Sequence, residues 1–180
     1  AIKSPLMNTN ASKSVLSKIN IPKEALILSG IYKLLFNSFT KIILVFIFLL
    51  IFGVPITYKI LLFPFALFGL LLFGTAIGLF LTPIGMLYKD IQRLIPITMS
   101  FLMYATPVVY AIPKEGIMKP IMEYNPLTPL LLTTRDLLVG TPTQFLNYFL
   151  IVVAVSIPLF FIGLLFYRLS IPIIVERMSA

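Results

Sequence analysis

The chain has 180 residues, of which 59% are hydrophobic and 11% are charged, and 14 Lys and Arg against 6 Asp and Glu give a net charge of +8. A soluble domain is about half apolar and about a quarter charged, so this composition predicts a protein that faces a lipid bilayer. The absence of Cys and His excludes disulfides, thiolate or imidazole metal sites and Cys or His catalysis. The basic residues lie between long apolar runs, so we expect a membrane as partner and no nucleic acid.

Long runs without charged residues predict four membrane spans, since about 20 apolar residues cross a bilayer. We place these spans at 27–54, 61–87, 91–110 and 142–168. The predicted fold class is all-α, a polytopic membrane helix bundle, with 1–26 as a cytoplasmic segment and 27–180 as the transmembrane domain. In the second span, Gly74 and Gly78 have the small-xxx-small spacing that lets a neighbouring helix approach closely.

The connection 111–141 contains two short helical pieces, one near 117–123 and one at 129–139, each bounded by turn residues. The second piece reaches only about 16 Å at 1.5 Å per residue, so it is too short to cross the membrane. We therefore predict an external re-entrant hairpin over 111–141.

Helix start and stop signals mark the end of this hairpin. Thr128 is suited to cap the second short helix, and Gly140 suits the left-handed position after it. Thr141 is predicted to cap the final span, with Pro142 in its first turn and Gln144 completing a capping box.

The distribution of Lys and Arg predicts the orientation, because cytoplasmic loops carry the excess of these residues. Nine of the 14 lie before the first span or near its start, around the junction of the second and third spans, or at or after the end of the fourth, against four in the other two connections. We therefore place both ends of the chain in the cytoplasm and the 111–141 hairpin outside. The N-terminal segment lacks the apolar run of a secretory signal.

The predicted spans contain no Asp or Glu, which argues against ion-coupled transport. The sequence also lacks the G-x-x-x-x-G-K-[ST] motif that cradles nucleotide phosphates. We therefore predict that the chain is not an enzyme and holds no cofactor or metal, and that energy for any transport comes from a partner.

Lys33, Asn37 and Lys41 recur every four residues and so share one face of the first span. One interpretation is that this face borders a water-filled path and meets an anionic headgroup. The other is that both lysines extend to anionic lipid at the membrane surface.

Two further charged groups lie at opposite ends of the predicted spans. Lys89, Asp90 and Arg93 form a predicted inner turn, which either anchors the topology or takes a specific functional role. Arg135 and Asp136 lie in the second short outer helix, where adjacent side chains point about 100° apart, so we expect them to pair with other partners.

The N-terminal segment predicts a short amphipathic helix over 12–21. It begins after capping residues, places Val15, Leu16 and Ile19 on one face and stops at Pro22. Such a helix either lies on the bilayer surface or docks into a groove on a soluble partner.

Four sequence elements follow one another along nearly the whole chain. They are LSKINIPKE at 16–24, YKD at 88–90, TPVVY at 106–110, and NPLTP at 125–129 followed by RDLL at 135–138. In this order they resemble the KxxFPRE-type segment, the Arg-Asp pair, the SPVIYP element and the NPLTP…FRDLL element of polysaccharide ABC exporter permeases. These permeases are the membrane subunits that export O-antigen or teichoic-acid chains.

The resemblance implies that 12–21 is a coupling helix, which receives motion from a separate ABC ATPase subunit that binds ATP and Mg. The residues it assigns to this contact are Lys13, Leu16, Lys18, Ile19, Pro22, Lys23 and Glu24. It also implies a homodimer in the cytoplasmic (inner) membrane. The family has about six spans, so this chain would match from the end of the second span onward and be truncated at its N-terminus.

The same resemblance implies that the two short outer helices form an external gate, with Asn125, Pro126, Arg135 and Asp136 as gate residues. The substrate would be a glycan on an undecaprenyl-diphosphate carrier. Candidates for the pathway are Lys33, Asn37, Lys41, Tyr104 and Tyr110. Two alternatives stay open: a drug or lipid exporter permease of the same superfamily, or a membrane scaffold that transports nothing.

Overall fold

The computed structural model describes residues 1–11, 23–54, 57–108, 110, 112–113 and 115–179. The predicted coupling helix at 12–21 lies outside the described residues, as do its contact residues up to Pro22. Seven α-helices account for most of the described chain. They are α1 (Ser4–Ala11), α2 (Lys23–Ile51), α3 (Phe63–Leu87), α4 (Lys89–Tyr104), α5 (Met118–Tyr124), α6 (Leu127–Val139) and α7 (Leu146–Ser179). A short 3-10 helix, Tyr58–Leu62, directly precedes α3, and the all-α fold class is confirmed.

Three of the described helical stretches are long and apolar enough to cross a bilayer: Leu28–Ile51, Tyr58–Leu87 and Leu146–Ile174. They match the first, second and fourth predicted spans. The helix assigned to the third span falls short, because α4 ends at Tyr104 after 16 residues, a rise of about 24 Å. Pro107 explains the early end, since a proline disfavours helical geometry at the residue before it.

The other helix ends also differ from the predicted spans. The backbone leaves α2 after Ile51, and Gly53 adopts a left-handed conformation with φ 62°. Helix α7 continues through Pro158 and Pro172 to Ser179, beyond the predicted end at 168. The two short helices predicted between 111 and 141 are confirmed as α5 and α6.

The chain forms two compact units. The first comprises Ala1–Val54, Gly74–Gln92 and Pro158–Ala180, and the second comprises Pro55–Phe73 and Arg93–Ile157. In the second unit, α6 packs its Leu130 and Leu137 in one buried cluster with Ala66 of α3 and with Phe149 and Val152 of α7.

In the first unit, the start of the chain lies against a row of small residues on α3. A Cβ atom added at Gly74 would lie 2.5 Å from the Ala1 Cβ, and one added at Gly78 would lie 2.5 Å from the Ile2 carbonyl oxygen. Leu6 of α1 is 4% exposed, and its side chain lies against Gly85. The glycine spacing predicted the close approach of a neighbouring helix, but the backbone that approaches Gly74 and Gly78 is the non-helical segment before α1.

Gly78→Ala is expected to lower the thermal stability of the protein in detergent, because the new methyl group meets a backbone oxygen. Overpacking of this kind costs about 1–3 kcal/mol, which outweighs the helix propensity of about 1 kcal/mol that alanine gains. Gly163→Ala, whose nearest contacts are 3.2 Å away, is the matched control and should change the unfolding midpoint less. Equal midpoints for the two variants would contradict this packing.

Candidate functional site: the 111–141 hairpin

Asn125 connects two of the sequence elements that are far apart in the chain. Its Nδ2 donates to the carbonyl oxygen of Ala105 at 3.1 Å and to Oγ1 of Thr106 at 3.0 Å. Thr106 is 1% exposed, and its hydroxyl donates to the carbonyl oxygen of Leu102 at 2.7 Å. The Thr106 hydroxyl therefore accepts from Asn125 and donates to the last turn of α4. The 106–110 and 125–129 elements are in contact at this point.

The other side-chain atom of Asn125 begins α6. Its Oδ1 accepts from the backbone N–H of Leu127 at 3.0 Å, which satisfies a donor that the helix start leaves unpaired. The sequence pattern predicted this capping role for Thr128, and that prediction is wrong. Thr128 lies inside the helix and is fully buried, because the helix starts earlier, after Pro126.

The C-terminal end of α6 is bound by the segment that precedes α3. Gly140 ends the helix as predicted, with φ 85° and its N–H donating to the Asp136 carbonyl oxygen at 2.8 Å. The ammonium group of Lys59 donates to the carbonyl oxygens of Thr141 at 3.1 Å and Gly140 at 3.4 Å. A cation at this position is also favoured by the helix dipole.

A side chain at position 140 would collide with this same segment. A Cβ atom added at Gly140 would lie 2.5 Å from Oγ1 of Thr57. Close packing and the left-handed backbone therefore both require glycine at this position.

Two predictions about this end of the hairpin are wrong. Thr141 does not cap α7, which begins only at Leu146; its hydroxyl instead donates to Oδ1 of Asp136 at 3.1 Å. Asp136 also pairs with its neighbour, since Nε of Arg135 lies 3.8 Å from the same carboxylate oxygen. The Arg135 side chain is 51% exposed, so this ion pair contributes less than about 1 kcal/mol.

The two tyrosines assigned to the pathway lie close together beside the hairpin. The hydroxyl of Tyr110 donates to the carbonyl oxygen of Tyr104, and both side chains are exposed. Arg93, Pro96 and Ser100 of α4 share one face with Tyr104 by helical spacing and are exposed as well. By the same spacing Ile97 lies on this face and is 53% exposed, so the exposed face of α4 from Arg93 to Tyr104 mixes polar, aromatic and apolar side chains.

The inner charged group is helical in the structure rather than a turn. Only Tyr88 separates α3 from α4, and α4 begins at Lys89. Asp90 lies in the first turn of α4, where the helix dipole favours a negative charge.

The three residues of the polar face of α2, Lys33, Asn37 and Lys41, are all exposed. The Lys33 ammonium group also donates to Oδ1 of Asn8 in α1 at 2.9 Å. Neither sequence interpretation of this face included a contact with α1.

Sequence reasoning missed Lys59 and Asn8 because neither belongs to a recognisable motif. Lys59 had a usable signal, since it is a single charge between two long apolar runs and must find a polar partner or the membrane surface. Asn8 had no such signal, because polar residues are ordinary in a short segment outside the predicted spans.

The fold and the hairpin define a polytopic helical membrane protein, and comparison with known proteins gives its family. The family model described as ABC-2 type transporter matches residues 3–139, which include all four sequence elements and α6. The chain belongs to the ABC-2 type transporter family. This confirms the resemblance inferred from the motifs.

Two similar proteins are both named O-antigen export system permease protein RfbA, from Klebsiella pneumoniae. One is 25% identical over 143 residues, which is 77% of this chain and 53% of the relative. The other is 24% identical over 131 residues, or 71% of this chain and 50% of the relative. The chain thus spans about half the length of the curated relatives it matches.

Asn125→Asp is expected to destabilise the hairpin, because it keeps the acceptor for Leu127 but removes both amide donors and places a carboxylate beside the Ala105 carbonyl oxygen. The loss should be about 1–3 kcal/mol, measured as a lower unfolding midpoint in detergent. Asn147→Asp, at an exposed position in α7, is the matched control. If both variants unfold at the parent temperature, Asn125 does not hold the two elements together.

Lys59→Met should loosen the C-terminal end of α6 by removing the donor to two carbonyl groups. Amide hydrogen exchange at 136–141 is expected to rise about fivefold, the factor for a hydrogen bond of about 1 kcal/mol. Lys119→Met in α5, where the lysine is exposed, serves as control. Unchanged exchange in the Lys59 variant would show that the lysine does not anchor this end.

Proposed function

We propose that the protein is the permease subunit of an ATP-driven exporter that moves a lipid-linked polysaccharide across the cytoplasmic membrane. Membership of the ABC-2 type transporter family supports an exporter permease. The names of two relatives, which concern O-antigen export, support a polysaccharide as the substrate. The observation that carries the proposal is the Asn125 contact, which joins the 106–110 and 125–129 elements in one site.

The hairpin is suited to act as the external gate because α6 is fixed at both ends. Asn125 connects its start to the end of α4, and Lys59 connects its end to the segment before α3. Its Leu130 and Leu137 are buried in the core of the same unit. A helix held in this way moves together with the spans that hold it, so a shift of those spans would open or close the path.

The exposed face of α4 is the best candidate for the wall of this path. The side chains of Arg93, Ser100 and Tyr104 are less favourable against lipid than against water or another subunit. Tyr104 and Tyr110 at one end of this face could stack on sugar rings, and Arg93 at the other end could attract an anionic group. The path would lie between two permease copies that form a homodimer.

The carrier would be undecaprenyl diphosphate, whose charged headgroup needs a basic partner in the membrane. The Lys33 ammonium group already donates to Asn8, so we assign the headgroup contact mainly to Lys41 and Asn37, which are exposed on the same face. Lysine is suited to this as a point charge near the membrane surface.

The energy would come from an ABC ATPase subunit that binds ATP and Mg and docks on the 12–21 segment at the cytoplasmic side. The excess of Lys and Arg in the segments assigned to that side supports this orientation. With both ends of the chain in the cytoplasm, the segment faces the ATPase and the hairpin faces outward.

The docking proposal is tested by Leu16→Asp combined with Ile19→Asp, which places charges on the apolar face of the segment. The ATPase subunit should no longer co-purify with the permease, and glycan export should stop. Ile117→Asp, at an 84% exposed position assigned to the outer side, should leave co-purification unchanged. Undiminished co-purification with the double variant would refute docking on this segment.

A further inference from the structure

Helix α1 is bound to the beginning of α2 by three hydrogen bonds. Nδ2 of Asn8 donates to Oγ of Ser29 at 2.7 Å, and Oδ1 of Asn8 accepts from Lys33 Nζ at 2.9 Å. Oγ of Ser4 donates to the carbonyl oxygen of Gly30 at 3.2 Å. Asn8 is 7% exposed, whereas its partners Ser29 and Lys33 are exposed. The two chain segments that flank residues 12–22 are therefore connected directly.

The next residue of α1 contacts the last helix instead. Oγ1 of Thr9 and the hydroxyl oxygen of Tyr167 in α7 are 3.0 Å apart. Thr9 is 2% exposed and Tyr167 is 0% exposed. Because the Thr9 hydroxyl also lies 2.8 Å from the carbonyl oxygen of Pro5, it can donate to that carbonyl and accept from Tyr167.

Adjacent residues of a helix point about 100° apart, so Asn8 and Thr9 use different faces of α1. One face is bonded to α2 and the other to α7, while Leu6 and the residues before α1 pack on the glycines of α3. The contact between Thr9 and Tyr167 is buried, and buried polar contacts are directional and costly to break. Helix α1 therefore fixes α2 and α7 relative to each other.

We propose that α1 is a mechanical joint, which transmits movement of the 12–22 segment to α7 through the Asn8 and Thr9 contacts. Asn8 and Tyr167 act as positioning residues: they bind no substrate but keep α1, α2 and α7 moving together. The inference rests on the proposed coupling of the segment to an ATPase. It adds the route by which that movement reaches the last span.

The first experiment removes the Tyr167 hydroxyl by Tyr167→Phe in the purified complex of the permease with its ATPase. The readout is the change in hydrogen exchange over residues 158–174 when ATP and vanadate are added. In the parent complex, ATP should alter this exchange. In the variant, the ATP-induced change should fall about fivefold, the effect of one hydrogen bond, with the ATPase still bound.

Tyr32→Phe is the matched control, because Tyr32 is 66% exposed on α2 in the same unit. It should keep the full ATP-induced change. An intact change in Tyr167→Phe, or an equal loss in both variants, would overturn the joint. A permease that never binds the ATPase would instead overturn the proposed function, and the joint with it.

A second experiment replaces the Asn8 hydrogen bonds with a covalent bond. The Cβ atom added at Gly30 lies 3.5 Å from the Asn8 Cβ, a separation compatible with a disulfide. The Asn8→Cys and Gly30→Cys pair should lose the ATP-induced change when reduced, because the Asn8 hydrogen bonds are gone. It should regain the change when oxidised, because the disulfide connects α1 to α2 again. Both states have the same sequence, so the comparison isolates this connection. If the oxidised pair blocks the change, α1 and α2 move relative to each other and the proposal is wrong.

Discussion

The ends of a helix leave backbone polar groups without partners inside the helix, and each of these groups must find another partner. Helix α6 depends on this constraint, since it starts and ends between longer helices. The Asn125 side chain satisfies its start and the Lys59 ammonium group satisfies its end. The apolar cluster around Leu130 and Leu137 then fixes its rotation. The position of the hairpin follows from these two polar side chains as much as from its apolar surface.

In the other unit, a related constraint applies to the polar side chains of helix α1. Its polar residues would be unfavourable in an apolar environment, but Asn8 bonds with Ser29 and Lys33, and Thr9 bonds with Tyr167. These directional contacts hold the short helix α1 at one position. With apolar contacts alone, the helix could shift along the glycines of α3. The joint that we propose depends on these contacts. The glycines of α3 allow the two backbones to approach closely.

The sequence predicted the features that depend on local patterns. Apolar run length located the all-α bundle and the three longest spans, and the left-handed requirement at Gly140 located the end of α6. The capping roles of Thr128 and Thr141 were predicted wrongly, because the helices start elsewhere: α6 begins at Leu127, whose N–H is bound by the nearby Asn125, and α7 begins only at Leu146. The Asn125, Lys59 and Asn8 contacts join residues that no periodic pattern relates, so only the folded chain identifies them.

The proposed function depends on the orientation that places the hairpin outside and the 12–21 segment at the ATPase. Because the chain has no cysteine, single cysteines report this orientation directly. Ile117 is 84% exposed beside α5, and Met7 is 67% exposed on α1. In intact cells a membrane-impermeant maleimide should label Ile117→Cys, and it should label Met7→Cys only after the membrane is permeabilised. The opposite pattern would place the hairpin in the cytoplasm and contradict its assignment as an external gate.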